Sequence, residues 1–365
     1  MQDVLVAPEV SIAEPSVRTR DAVSAVRWSE WVIIAFLVYA AAAGEILPVA
    51  SPVGSLVVLL NSSVILSYAL IIRCDTAKRT RAIGIIRDWL PLGLILLAYR
   101  EMGWFALPHH GHALEARWVM WDRAFLHGGA TAAIEAFGSV APSALEICYS
   151  PVYALAPFSV AILYLYRRRD RMHRLLFIFA LGVLPCYAQF PLWPLEPPRA
   201  AFFGRDFPAY DTVFRRFNWW MLGNYGIHTS CFPSAHVAAA FSAAFGMRQT
   251  LPDRQWVGRG LLTMALLIAL ATVYGRCRYG ADAAAGFAVA VFALAVDTGL
   301  RNIRRRRVTA NAGASPSASA GMPVAGLANF RPVMETDRFV SIGSAHSAIG
   351  ATPALSYWGN SELTQ

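Results

Sequence analysis

Two short polar clusters carry the residues of this sequence that can do chemistry. Cys-Phe-Pro-Ser-Ala-His spans 231–236, and Tyr-Gly-Arg-Cys-Arg-Tyr-Gly-Ala-Asp spans 274–282. Pro233 suits the first position of a helix, because its missing N–H would be unpaired there anyway. The N–H groups of Ser234, Ala235 and His236 then point out of the helix start, which makes an anion site strengthened by the helix dipole. Ser234 adds a hydroxyl, and His236 adds an imidazole suited to moving a proton. Arg276 and Arg278 supply guanidinium groups, as does Arg199 at the end of Pro-Pro-Arg. Fixed cations beside a helix start are what phosphate recognition requires. If the second cluster is helical, Arg278 and Asp282 stand four residues apart and can pair.

The elements that position these groups read as membrane helices. The chain has 365 residues, 56% of them hydrophobic and only 15% charged, with a mean hydropathy of +0.43. Soluble domains carry about 25% charged residues. The composition predicts an all-α, polytopic helix bundle of about eight spans with a core of about six helices. The apolar runs lie at 28–47, 52–72, 89–105, 144–166, 175–193, 232–247, 260–273 and 283–300. Arginine-rich turns at 73–87, 167–174, 248–259 and 301–307 mark cytoplasmic ends. This charge rule ignores the two clusters, yet it sets them and Arg199 on the opposite, extracytoplasmic face, with loops 107–142 and 194–230. The net charge of +9 follows from this topology, so nucleic acid is not expected as a partner.

Residues 1–27 form a polar, disordered cytoplasmic N-terminus, 28–307 the membrane domain, and 308–365 a tail too rich in Ala, Ser, Gly and Pro to fold. Trp118, Met120, Trp121 and Phe125 fall at near-helical spacing, as in a helix lying in the membrane interface. Arg215 and Arg216 are either interfacial anchors or part of a lid over lipid phosphates. His109, His110 and His112 lack a carboxylate partner pattern, and no metal or other cofactor is expected. The five cysteines show no metal-ligand spacing; Cys231 and Cys277 flank the clusters and admit a disulfide, although small apolar positions at helix ends explain them more simply. The alanines at 238–240, 243–244 and 283–285, with Gly286, let two spans pack closely and bring His236 towards residues 276–282.

Pro-Pro-Arg ending at Arg199, Phe-Pro-Ser-Ala-His ending at His236, and Tyr-Gly-Arg-x-x-Tyr-x-x-Asp-x-x-x-Gly from Tyr274 to Gly286 together resemble the type 2 phosphatidic acid phosphatase superfamily. They look closest to its inositol phosphorylceramide synthase-like branch, with a weaker echo in Arg-Asp-Trp-Leu-Pro at 87–91 and Ala-Tyr-Arg at 98–100. The resemblance implies an integral enzyme of a bacterial plasma membrane, either a lipid phosphate phosphatase or a headgroup phosphotransferase, with a phosphorylated membrane lipid as partner. By the same resemblance Arg199, Ser234 and Arg276 hold the phosphate. His236 protonates the leaving oxygen and then activates the acceptor.

The sequence departs from the family at one decisive place. The histidine that attacks phosphorus, four residues before the motif aspartate, is replaced by Arg278. A guanidinium has no lone pair to offer and stays protonated, so Arg278 joins the binding residues, and Asp282 fixes it rather than orienting a nucleophile. Leu192 stands at the family's motif lysine and Thr272 at its third-motif arginine, for which Arg276 substitutes. His228, Cys277, direct attack by an acceptor or water, and loss of catalysis are the open alternatives. A catalytically silent lipid-phosphate binder of the same fold is therefore the competing reading, with an unrelated transporter as a third.

Overall fold

The computed structural model describes residues 26–47, 52–78, 80–106 and 111–313. Most of the expected N-terminal disorder, the tail from residue 314 onwards, and His109 and His110 lie outside the described residues. The described chain is all helical. In order, α1 is Trp28–Ile46, α2 Val53–Lys78, α3 Arg81–Met102, α4 Ala113–Phe125, α5 Thr131–Glu135, α6 Val140–Tyr149 and α7 Leu155–Leu165. Then come α8 Met172–Gln189, α9 Pro198–Ala201, α10 Val213–Tyr225, α11 Ala235–Thr250, α12 Gln255–Tyr274 and α13 Gly280–Gly313. A 3₁₀ turn at Ser150–Ala154 joins α6 to α7 in one rod. Helix is the necessary form here, because lipid offers no partner to a backbone N–H or C=O.

Seven segments among the described residues are long and apolar enough to cross a membrane: Trp28–Ile46, Val53–Lys78, Arg81–Phe105, Val140–Leu165, Arg169–Gln189, Pro252–Tyr274 and Gly280–Arg307. The eighth expected span is α11. It has 16 residues, roughly 24 Å at 1.5 Å per residue, against a hydrocarbon core of ~30 Å. It is the central helix, packed against α8 and α12 and buried on most sides. Small residues allow this. A side chain at Gly182 of α8 would strike Ser242 of α11 at 1.9 Å, and one at Gly286 of α13 would strike the Ser234 carbonyl at 2.3 Å.

The third span begins at Arg81, not near residue 89, so Arg87 and Asp88 lie within a helix. They tolerate that position because each is paired. Arg87 meets Glu30 and, at 2.9 Å, Asp75, while Asp88 meets Arg27 at 2.7 Å, Arg169, and the Tyr164 hydroxyl at 2.8 Å. The last helix likewise continues beyond the arginine run to Gly313.

The arginine-rich turns meet at one end of the bundle. There Arg174 pairs with Asp297 at 2.9 Å, Arg171 donates to the Thr250 carbonyl at 2.9 Å, and Arg168 pairs with Asp253. The starts of α11 and α13 and the end of α12 meet at the other end, with the 194–230 segment. That segment is not organised as a lid through Arg215. The Arg215 side chain is 2% exposed and bonds Glu146 of α6 at 3.0 Å and the Tyr210 carbonyl at 2.8 Å, over the Tyr274 ring. Asn218 donates to the same carboxylate at 3.0 Å. Arg216 is exposed and stands 3.6 Å from Asp211.

Candidate functional site

The site begins at the start of α11. Ser234 is the N-cap, and its Oγ accepts from the Val237 N–H at 3.4 Å. Pro233 therefore precedes the cap instead of occupying the first helical position, because a capping serine outranks it there. The Ser234 N–H is also spoken for: it donates to the Asp282 carbonyl at 3.0 Å. That bond and the bare face of Gly286 clamp the start of α11 to the start of α13. The N–H groups of Ala235 and His236 remain without a partner among the described residues.

His236 is 7% exposed. Its ring lies flat against Tyr149, with centroids 5.5 Å apart, and meets Tyr153 edge-on at 5.4 Å. Nε2 is 3.0 Å from the Tyr153 hydroxyl, whereas Nδ1 is buried with no partner. No hydrogen bond on Nδ1 locks the tautomer, so the ring can accept from Tyr153 or donate to it.

The three arginines divide. Arg276 adopts a left-handed backbone, φ 58°, which few non-glycine residues do. Its side chain is fully buried, 3.5 Å from Asp122 and 3.5 Å from Asp206. Burial lowers its pKa, and the two carboxylates oppose that fall. Burial likewise pushes Asp122 up to about 6, although the Gly280 N–H at 2.9 Å and Arg276 pull the other way. Arg276 thus sits between two carboxylates, although its Nε and Nη2 have no hydrogen-bond partner among the described residues. Arg199 donates from its backbone to the Arg276 carbonyl at 3.1 Å and from Nη1 to the Cys277 carbonyl at 3.3 Å. Arg278 is 5% exposed, and its Nε has no partner. Among the described residues no carboxylate stands within ion-pairing distance of Arg199 or Arg278.

Asp282 does not pair with Arg278 as its spacing allows. Oδ2 accepts from the Cys231 thiol at 2.8 Å and the Tyr279 N–H at 2.9 Å, since Asp282 sits at the helix start where nearby backbone donors are free. Its Oδ1 has no partner. Cys231 and Cys277 are both free thiols. Burial raises the pKa of each. His228 is exposed, and His112 lies 3.4 Å from Glu115.

His236 and Arg278 face a cavity of about 490 Å³. Its polar end also holds Tyr99, Tyr153 and Tyr187, and its remainder is lined by Trp89, Leu92, Leu96, Pro157 and Phe179. Trp89, Leu92, Leu96 and Tyr99 fall on one face of α3, so the cavity runs roughly 15 Å along that helix at 1.5 Å per residue. Trp89 and Leu96 are partly exposed on the bundle surface, where lipid would lie. The arrangement offers fixed positive charge, one imidazole and an apolar groove.

Of the six residues read from the sequence, His236 and Arg278 line this cavity. Arg199 is not among the cavity-lining residues, but its Nη1 donates to the carbonyl of Cys277, the neighbour of Arg278. Ser234 caps the helix that carries His236, and Asp282 anchors that helix through its carbonyl. Arg276 belongs to a neighbouring ion cluster. Sequence reasoning missed Tyr149 and Tyr153, although their spacing of four in the fourth span already put both on one helical face. It also missed Asp122, Glu146 and Asp206, whose partners lie far away in the chain.

No curated protein and no solved structure matches the chain. The PAP2 superfamily model matches residues 104–296, a stretch that holds α4 through the first half of α13 and with them all three motifs. With more than half of its length matched, and its motifs meeting at one end of the helix bundle, the chain belongs to the PAP2 superfamily.

Proposed function

We propose that the protein takes a phosphorylated membrane lipid, with the phosphate between Arg278, Arg199 and His236 and the acyl or prenyl chain along the apolar face of α3. The observation that carries this reading is Arg278, a nearly buried guanidinium that faces the cavity and has no carboxylate partner among the described residues. A buried charge is costly unless paired, and a phosphate supplies the missing counterion. The arginine distribution supports an extracytoplasmic position for this end of the bundle by the positive-inside rule.

The reaction that fits is phosphate ester hydrolysis or transfer of a phosphoryl-bearing headgroup. His236 moves the proton, and the start of α11 offers backbone donors to the phosphate. Asp282 fixes the α11–α13 junction. Arg276 shapes the site through Asp122 and Asp206 instead of touching phosphate. An inositol phosphorylceramide synthase-like transfer remains one form of this reading. A silent lipid-phosphate binder is the second reading, favoured by Arg278 itself, which cannot attack phosphorus.

The test is turnover by purified protein in detergent against a panel of lipid phosphates, beside equilibrium binding of the same lipids. An enzyme releases phosphate or transfers headgroup, and His236→Ala abolishes this while binding, still supported by Arg278 and Arg199, weakens far less. A binder holds the lipids without turnover. Absence of binding to every lipid phosphate would overturn both readings.

A further inference from the structure

A buried base with a hydroxyl on it is a nucleophile pair, and this site contains one. Nε2 of His236 is 3.0 Å from the Tyr153 hydroxyl, inside the reach at which a base activates a nucleophile. The base is held in place by a third group, since Tyr149 stacks flat on the imidazole. Both members of the pair line the cavity together with Arg278.

Several other candidate nucleophiles near His236 are committed elsewhere. Cys231 donates to Asp282, Cys277 to the Gly275 carbonyl, and the Ser234 hydroxyl caps Val237. Tyr99 accepts from the Ile227 N–H at 3.0 Å. The Tyr149 hydroxyl is buried without a partner and is not among the cavity-lining groups.

We propose that Tyr153 is the nucleophile of this site and forms a phosphotyrosine intermediate with a lipid phosphate ester. This rests on the lipid-phosphate reading above. Tyr153 Oη forms a bond to phosphorus as the bond from phosphorus to the lipid oxygen breaks. The tyrosine proton passes to His236 Nε2. The lipid oxygen departs with the bonding pair and takes that proton, leaving neutral histidine and a free lipid alcohol. Water or an acceptor alcohol then gives a proton to His236 as its oxygen attacks phosphorus. Tyr153 leaves as phenolate and recovers the proton from His236. The tyrosine and histidine end unchanged, and no oxidant, reductant or metal enters the balance. Arg278 and Arg199 neutralise the phosphate oxygens throughout.

The test uses the full-length protein in detergent with a ³²P-labelled lipid phosphate, quenched during turnover. Expected is acid-stable label that maps by mass spectrometry to Tyr153. Tyr153→Phe, which keeps the ring and its packing, should lose both the label and at least about 100-fold of turnover, with lipid binding within about twofold of wild type. His236→Ala should lose turnover while leaving Tyr153 in place. Acid-labile label on His236, turnover without any label, binding without turnover, or Tyr153→Phe at more than half the wild-type rate would each overturn the assignment while leaving lipid-phosphate binding intact. Failure of wild type to bind any lipid phosphate would overturn the underlying reading as well.

Discussion

Arg276 and Arg278 are two residues apart, and their substitution should have opposite consequences. Arg278→Leu removes a guanidinium that faces the cavity without a carboxylate. A hydrogen bond to a charged group contributes about 1.5–3 kcal/mol, so loss of one such contact weakens lipid-phosphate binding by about 10- to 150-fold. The same change relieves an unpaired buried charge, so thermal stability should hold or rise. Arg276→Leu does the reverse. It strips the cation from Asp122, which is 4% exposed, and from Asp206. Breaking a buried pair costs about 3–5 kcal/mol. The 3.5 Å separation and a pKa already at about 6 reduce that figure, because Asp122 can take up a proton instead; roughly 2–3 kcal/mol remains. The assay is thermal unfolding and binding of a fluorescent lipid phosphate, measured on the same nanodisc preparations. Arg276→Leu losing affinity with unchanged unfolding, or Arg278→Leu binding like wild type, would refute the division of roles.

Glu146→Ala leaves Arg215, only 2% exposed, without its carboxylate; we expect a loss of about 3–5 kcal/mol, read as a lower unfolding temperature, and little change for Arg216→Ala. The raised Asp122 pKa gives a pH signature. The folded protein binds the extra proton between the ordinary carboxylate range and about 6, so this group's contribution is greatest at low pH and is lost as pH rises through about 6. Asp122→Asn should remove that slope from unfolding measured between pH 4.5 and 7.5. For topology, cysteine labelling from outside should reach residues in the exposed part of 202–212 and miss 301–307, whereas reversed labelling would move the site to the cytoplasmic face.

The helical bundle was legible because hydrophobic length and arginine placement are local signals, and both survive in the structure as spans and as the cluster around Arg174 and Asp297. Helix α11 has only 16 residues, yet it runs from the site end of the bundle to Thr250 at the arginine-rich end, enclosed by protein. The third span starts early because Glu30, Asp75 and Arg27, all distant in sequence, neutralise Arg87 and Asp88. The clamp between α11 and α13 was legible from alanine and Gly286. The sorting of the arginines was not. It depends on a left-handed turn at Arg276 and on carboxylates from two outer segments, neither of which leaves a periodic trace. Tyr153 was hidden for the opposite reason: a tyrosine in an apolar span reads as packing until its hydroxyl is found on His236.

The central claim is that the Arg278 end of the cavity binds phosphate on a lipid. The direct measurement compares one lipid phosphate with its own dephosphorylated alcohol, for wild type and Arg278→Leu in nanodiscs. Wild type should prefer the phosphate by at least about tenfold, one charge-assisted contact, and Arg278→Leu should lose about tenfold or more of that preference. Equal wild-type affinity for the two lipids, or a preference for phosphate that survives Arg278→Leu undiminished, would contradict it.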